Sequence, residues 1–133
     1  MQQDIKTFKL KYSGILEEVE CENVLDLFSL VNILALYISS QKKLFIWVGE
    51  EASIALKNYI AQIRQNFSND YPELRVMRYL TMESHDETFD FFHSTGISKE
   101  DLYRIIGEEK ECYEREEAIL LEIKELKNQA VDH

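Results

Sequence analysis

The chain has 133 residues, 45% hydrophobic and 30% charged, with one Pro, four Gly and a formal net charge of -10. That length allows one core but not two independent ones, and the makeup is that of an ordered globular domain rather than a disordered tail. With 25 acidic against 15 basic residues and no cluster of Lys and Arg to meet phosphates, neither nucleic acid nor an anionic membrane surface is expected as a partner.

Residues 1–10 include Asp4 and lack an apolar core, so no secretory signal is expected. The longest apolar stretch, around Leu27 to Ile38, is interrupted by Ser29 and Asn32 and falls short of the ~20 residues of a membrane span. A soluble, cytoplasmic chain is expected. Cys21 and Cys112 are too few for a disulfide framework and read as reduced thiols filling the role of small buried hydrophobes.

Phe8, Leu10 and Tyr12 alternate with Lys9 and Lys11, which predicts a half-buried strand ended by a turn at Ser13-Gly14. ILEEVEC, residues 15–21, reads as a second short strand. The apolar runs SLVNILALYIS, from Ser29 to Ser39, and LFIWV, from Leu44 to Val48, are separated only by polar residues. They predict a hairpin at the centre of a sheet, buried on both faces.

After Gly49 the period changes from continuous to every third or fourth residue, predicting a long helix over residues 51–68 that SNDYP terminates. ELRVMRYL, with Leu74, Val76 and Met77 set among arginines, predicts a further strand. ESHDETFDFFHSTG reads as a loop entering a short helix that carries Phe89, Phe91 and Phe92. Ser98, followed three residues later by Asp101, is an N-cap signal for a last helix over residues 99–129. The order predicts an α/β (α+β) fold with helices on the faces of one mixed sheet. Residues 1–97 form the domain and residues 98–133 an acidic helical extension.

The long helix is anomalous for so acidic a chain. At about 100° per residue, Ala52, Leu56, Tyr59, Ile60, Ile63 and Phe67 fall on one side and would pack on the sheet. Ile54, Asn58, Ala61 and Gln65 fall opposite, flanked by Ala55, Gln62 and Asn66. Between Ala52 and Asn69 only Lys57 and Arg64 are charged. A solvated face would ordinarily carry Glu–Lys pairs, and burying amides costs far less than burying carboxylates. Either this face is desolvated against a partner, through Ile54, Ala55, Asn58, Ala61, Gln62 and Gln65, or it is merely neutral, or the terminal helix of the same chain covers it.

VNILALYISSQKKLFIWVGEEASIALKNYIAQI resembles the core of gelsolin/villin domains, in which an apolar strand, a short turn and a strand ending in aromatic-x-Trp-x-Gly lead into a long helix. Phe45, Trp47, Gly49, Ala52 and Lys57 match that pattern, and RVMRYLTMESHDETFDFFHSTG resembles the next strand, acidic loop and closing Phe-rich helix of the family. The similarity runs from about Val19 to Ile97. It implies a gelsolin-like central mixed sheet between a long helix and a shorter crossing one, and actin or an actin-like protein as partner, docked through the long helix that corresponds to Glu51 to Phe67 here. Domains of the family that bind calcium internally use a Gly-Asp pair before the first hairpin strand and a Glu early in the long helix. Here the sequence reads Val31-Asn32-Ile33-Leu34, and the Glu position falls on Leu56. Because calcium needs several oxygen ligands, the internal site is expected to be absent and no cofactor is expected. The acidic residues Glu83, Asp86 and Glu87 read as a solvated loop, and Ser84 stands where the family often has Gly.

Residues 98–133 hold six basic and eleven acidic residues, a net charge of -5, and lie outside the resemblance. A heptad places Ile105, Cys112, Ile119 and Leu126 at one core position and Leu102, Glu109, Glu116, Ile123 and Ala130 at the other, so two glutamates interrupt the seam. The expectation is that LYRII packs on the domain and AILLEIKELKNQA protrudes or pairs. Self-association through residues 99–130, a hook for another partner, and a cover for the long helix all remain open.

For catalysis the sequence offers little. His85 and His93 are eight apart across an aromatic stretch, with no metal-ligand spacing around them, and read as surface or capping residues. Gly49 is isolated, so there is no Gly-rich phosphate loop, and Glu50 and Glu51 would repel an anion while suiting a helix dipole. The expected function is therefore non-enzymatic, an actin-binding or actin-regulating domain. The alternative is a scaffold or trafficking module that reuses the fold to bind another protein, with a small hydrolase or metal enzyme a distant third.

Overall fold

Strands β1 (Ile5–Leu10), β2 (Leu16–Glu18), β3 (Ile33–Ile38), β4 (Lys43–Val48) and β5 (Arg78–Glu83) form one sheet in the order β2-β1-β3-β4-β5. The coordinates are a computed structural model, which describes residues 5–20, 22–70 and 78–131. β1 is antiparallel to β2 and β3, β3 is antiparallel to β4, and β4 runs parallel to β5, so the sheet is mixed as the order of motifs predicts. The hairpin β3–β4 is central, pairing Ile33 with Val48 and Ile38 with Lys43. Its link is a 3-10 turn at Ser39–Gln41, closed by Lys42 in the left-handed region with φ 51°. The long apolar run from Ser29 thus contributes only Ile33–Ile38 to the strand.

All six residues of β3 are buried, because the sheet is covered on both faces. On one face Phe8, Leu10, Ile33, Ala35, Tyr37, Leu44, Ile46 and Val48 form a core with Leu56, Ile63 and Phe67. On the other, Leu34, Leu36, Ile38, Phe45 and Trp47 form a second core with Phe28, Phe91, Leu102 and Ile106. Alternate residues of each strand feed opposite cores, as the two-residue period demands. Tyr12 does not continue β1. It lies in the turn to β2, 69% exposed.

The first core is roofed by α1 (Ile54–Lys57) and α2 (Ile60–Asp70), the second by α3 (Phe89–Thr95) and the start of α4 (Lys99–Val131). Thr88 caps α3, its hydroxyl accepting from the Phe91 N–H, and Gly96 at φ 73° ends it. Ser98 caps α4 as expected, its Oγ accepting from the Asp101 N–H at 3.3 Å. Only the first turns of α4 enter the core. Leu102 and Ile106 are buried, and Glu109 accepts hydrogen bonds from the Ser29 hydroxyl (2.8 Å) and the Leu30 N–H (2.9 Å). From Glu111 to Asn128 every side chain is exposed, so about 27 Å of helix stands clear of the domain.

Two further readings need correction, and two fall outside the described residues. Cys112 is exposed on α4, not a buried hydrophobe, while Cys21 lies outside the described residues. The long helix does not start at Glu51. The strand predicted around Leu74, Val76 and Met77 also falls outside the described residues, and the strand that is seen runs from Arg78 to Glu83.

Candidate functional site

The helical roof over the first core is positioned by a tight turn after β4. The Gly49 N–H donates to the Asn32 carbonyl (2.8 Å) and the Glu51 N–H to the Leu30 carbonyl (2.7 Å), which binds the turn to the segment leading into β3. A Cβ on residue 49 would sit 2.4 Å from the Leu30 carbonyl oxygen. Glycine is therefore required here for close backbone approach. Glu50 and Glu51 belong to this turn and not to the first helical turn, and Glu50 pairs with Lys110 of α4 at 3.2 Å. Ser53 is the N-cap, its hydroxyl accepting from the Leu56 N–H at 3.2 Å.

The predicted single helix is two. The Tyr59 N–H bonds back to the Leu56 carbonyl, three residues away, and the regular pattern resumes when the Ile63 N–H reaches the Tyr59 carbonyl. A tightened turn at Asn58-Tyr59 thus separates α1 from α2, and α2 runs on through Asp70. The break does not disturb the phase of the apolar stripe. Leu56, Ile63 and Phe67 are buried in the first core, and Tyr59 and Ile60 pack against it half-buried. Edge-on contacts of the Phe67 ring with Phe8 (4.9 Å) and Tyr37 (6.2 Å) lock α2 to the sheet.

The opposite side of the two helices carries Ile54, Ala55, Asn58, Ala61, Gln62 and Gln65, all exposed, with Asn66 and Asn69 continuing it. Ile54 is 76% exposed. The terminal helix does not cover this face, because α4 packs on the other core. Leu56, at the position where a calcium ligand would be sought, is buried among apolar side chains.

The turn between β1 and β2 borders the same surface, which periodicity could not reveal. Gly14, at φ 88°, lies against the Tyr59 ring, where a Cβ would be 2.7 Å from Cε1. This brings Ile15, 64% exposed, alongside α2. A groove of about 340 Å³ separates the turn from α2, lined by Gly14, Ile15, Leu16, Asn66, Asn69 and Asp70 among others. The only sequence signal for this neighbour was two apolar residues flanking a Ser-Gly turn.

Of the acidic residues read as a solvated loop, Glu83 and Asp86 are exposed, whereas Glu87 is structural. Glu87 accepts from the Trp47 indole N–H (2.7 Å) and from the Tyr103 hydroxyl (3.2 Å), joining β4 to α4. Burial first, then the charges of Glu87 and Asp86, raise the Tyr103 phenol above its ordinary value. His85 sits beside Tyr103 with ring centres 4.8 Å apart, and His93 stacks on Phe89 at 5.6 Å. Both histidines are exposed. Among the described residues no group of three or more His, Cys, Asp or Glu converges as a metal site. No described helix is long and apolar enough to cross a membrane.

No protein-family model matches the chain, and no curated protein matches it. Solved structures do. The Thorarchaeota protein ProGel, in a crystal structure of its complex with rabbit actin, is similar with a TM-score of 0.58 at 17% identity, over 67% of this chain and 96% of that one. Thorarchaeota 2DGel3, also crystallised with rabbit actin, is similar with a TM-score of 0.55 at 14% identity over 71% of this chain. The match spans 46% of 2DGel3, so this chain corresponds to under half of that protein. These likenesses show the fold, an α+β gelsolin-like sheet.

Proposed function

We propose that this chain is a non-enzymatic actin-binding module that docks through the outward face of α1 and α2, with Ile54, Ala55, Asn58, Ala61, Gln62 and Gln65 in the contact. The observation that carries the reading is the exposure of a face free of carboxylates on a protein of net charge -10. Such a face loses little when water is removed from it, whereas a carboxylate there would have to be desolvated without a partner. The likeness to two proteins crystallised with actin supports actin, or a protein of the same shape, as the occupant. Ile15, lying alongside α2, would add to the apolar area that a protein interface core contains.

The test is Ala61→Glu in the full chain. Ala61 is exposed, so the variant should melt as the parent does, within about 0.5 kcal/mol. A desolvated, unpaired carboxylate at the centre of an interface costs about 2 kcal/mol or more, so co-sedimentation with filaments or binding to monomeric actin should weaken by roughly 30-fold. Unchanged affinity in a folded variant would remove this face from the contact.

A further inference from the structure

We propose that the free end of α4 is a self-association element, in which residues 118–131 of two chains pair antiparallel. Among the described residues the helix is anchored at its start, by Leu102, Tyr103, Ile106, Glu109 and Lys110. Beyond it Ile119, Leu120, Ile123 and Leu126 stand 44–65% exposed. Ile119, Ile123 and Leu126, with Ala130 next in sequence, are spaced four, three and four residues apart, the period of a two-helix seam. A contiguous exposed apolar stripe of this kind marks an interaction surface, and an isolated helical arm of such length gains most of its stability from a partner.

The charges choose the occupant and its direction. Residues 108–117 hold six glutamates against Lys110 and Arg115, whereas in residues 118–131 Glu122 and Glu125 are balanced by Lys124 and Lys127. A basic partner would be drawn to the first segment, which has no apolar stripe. The neutral, apolar second segment matches another copy of itself. In an antiparallel pair Ile123 lies level with Leu126 of the second copy, and Ile119 with Ala130, so the seam is apolar throughout. The acidic segments and the two domains, each part of a chain of net charge -10, then sit at opposite ends. A parallel pair would set Glu116 against Glu116 directly beside the Ile119 layer and align the two acidic segments, which like-charge repulsion disfavours. The structure also accounts for the other glutamate of the seam. Glu109 is engaged by Ser29 and Leu30 within its own chain, so pairing begins after it.

Sedimentation equilibrium of the full chain across a range of concentrations tests the assignment. The mass should rise reversibly from 15.7 kDa toward twice that value. Ile123→Lys and Leu126→Lys, both at exposed positions outside the cores, should each abolish the rise while the domain melts as before. A chain that stays monomeric at every concentration, or dimers that survive both substitutions, would overturn the proposal. So would loss of binding to a different protein by the same variants in a chain that never self-associates. Direction is read from Cys112, exposed at a seam position, in a Cys21→Ser background. Antiparallel pairing keeps the two Cys112 thiols apart, so rapid oxidative crosslinking through Cys112 would overturn the antiparallel arrangement.

Discussion

Ile63 is the anchor on which the candidate docking face rests, and truncating it should detach that face from the sheet. The side chain is 2% exposed, packed in the first core with Leu56 and Phe67. Ile63→Ala removes three carbons at about 0.8 kcal/mol each, roughly 2.4 kcal/mol of lost transfer free energy. The cavity adds to this, because Phe67 is held edge-on by Phe8 and Tyr37 and cannot collapse freely into the gap, so the total should reach about 3–4 kcal/mol. Urea unfolding followed through Trp47, with the slope unchanged and the midpoint lowered, measures it. Hydrogen exchange should localise the loss, with amides of residues 60–70 losing protection before those of β3 and β4. A cooperative variant destabilised by under about 1 kcal/mol would refute the assignment of Ile63 to the buried side, and with it the outward placing of Ala61 two residues earlier.

Gly49→Ala should cost about 2–4 kcal/mol, since its Cβ would meet the Leu30 and Ser29 carbonyl oxygens at 2.4 and 2.6 Å. Thermal melting checks this, and an unchanged melting temperature would mean that the facing segment retreats freely. Glu109→Ala should destabilise by about 1–3 kcal/mol by leaving the buried Leu30 N–H without its acceptor, while Glu109→Gln, which keeps an acceptor oxygen, should recover most of the loss in chemical denaturation. Tyr103 has its phenol raised above 10.0. The folded state therefore holds that proton more tightly than the unfolded chain, and its contribution is full below the unfolded value and lost as pH climbs through the raised one. In unfolding measured against pH, Tyr103→Phe should be less stable than the parent at pH ~8, and the difference should shrink above pH ~10. Parallel curves would contradict the origin assigned to the shift.

Sequence alone determined which residues are inside in the central hairpin and the helical roof, where the period was sustained and a facing layer existed. The continuous run from Ile33 to Ile38 required a strand covered on both faces, and the spacing of Leu56, Ile63 and Phe67 fixed the inward side of the helical roof, because both follow from backbone geometry. The same periodicity made Ile54, Ala55, Asn58, Ala61, Gln62 and Gln65 legible as one exposed face. Periodicity reports phase and not continuity, so the tightened turn at Asn58-Tyr59 left no trace in the pattern. Long-range placements were equally hidden. The role of Glu87 depends on Trp47 and Tyr103 arriving from elements 40 residues before and 16 after it, and nothing local distinguishes it from a solvated loop glutamate. Whether α4 would cover the candidate docking face or leave it open was decided by Leu102 and Ile106 seating in the opposite core. An amphipathic helix specifies that one side must be buried, and only the packed sheet specifies against what.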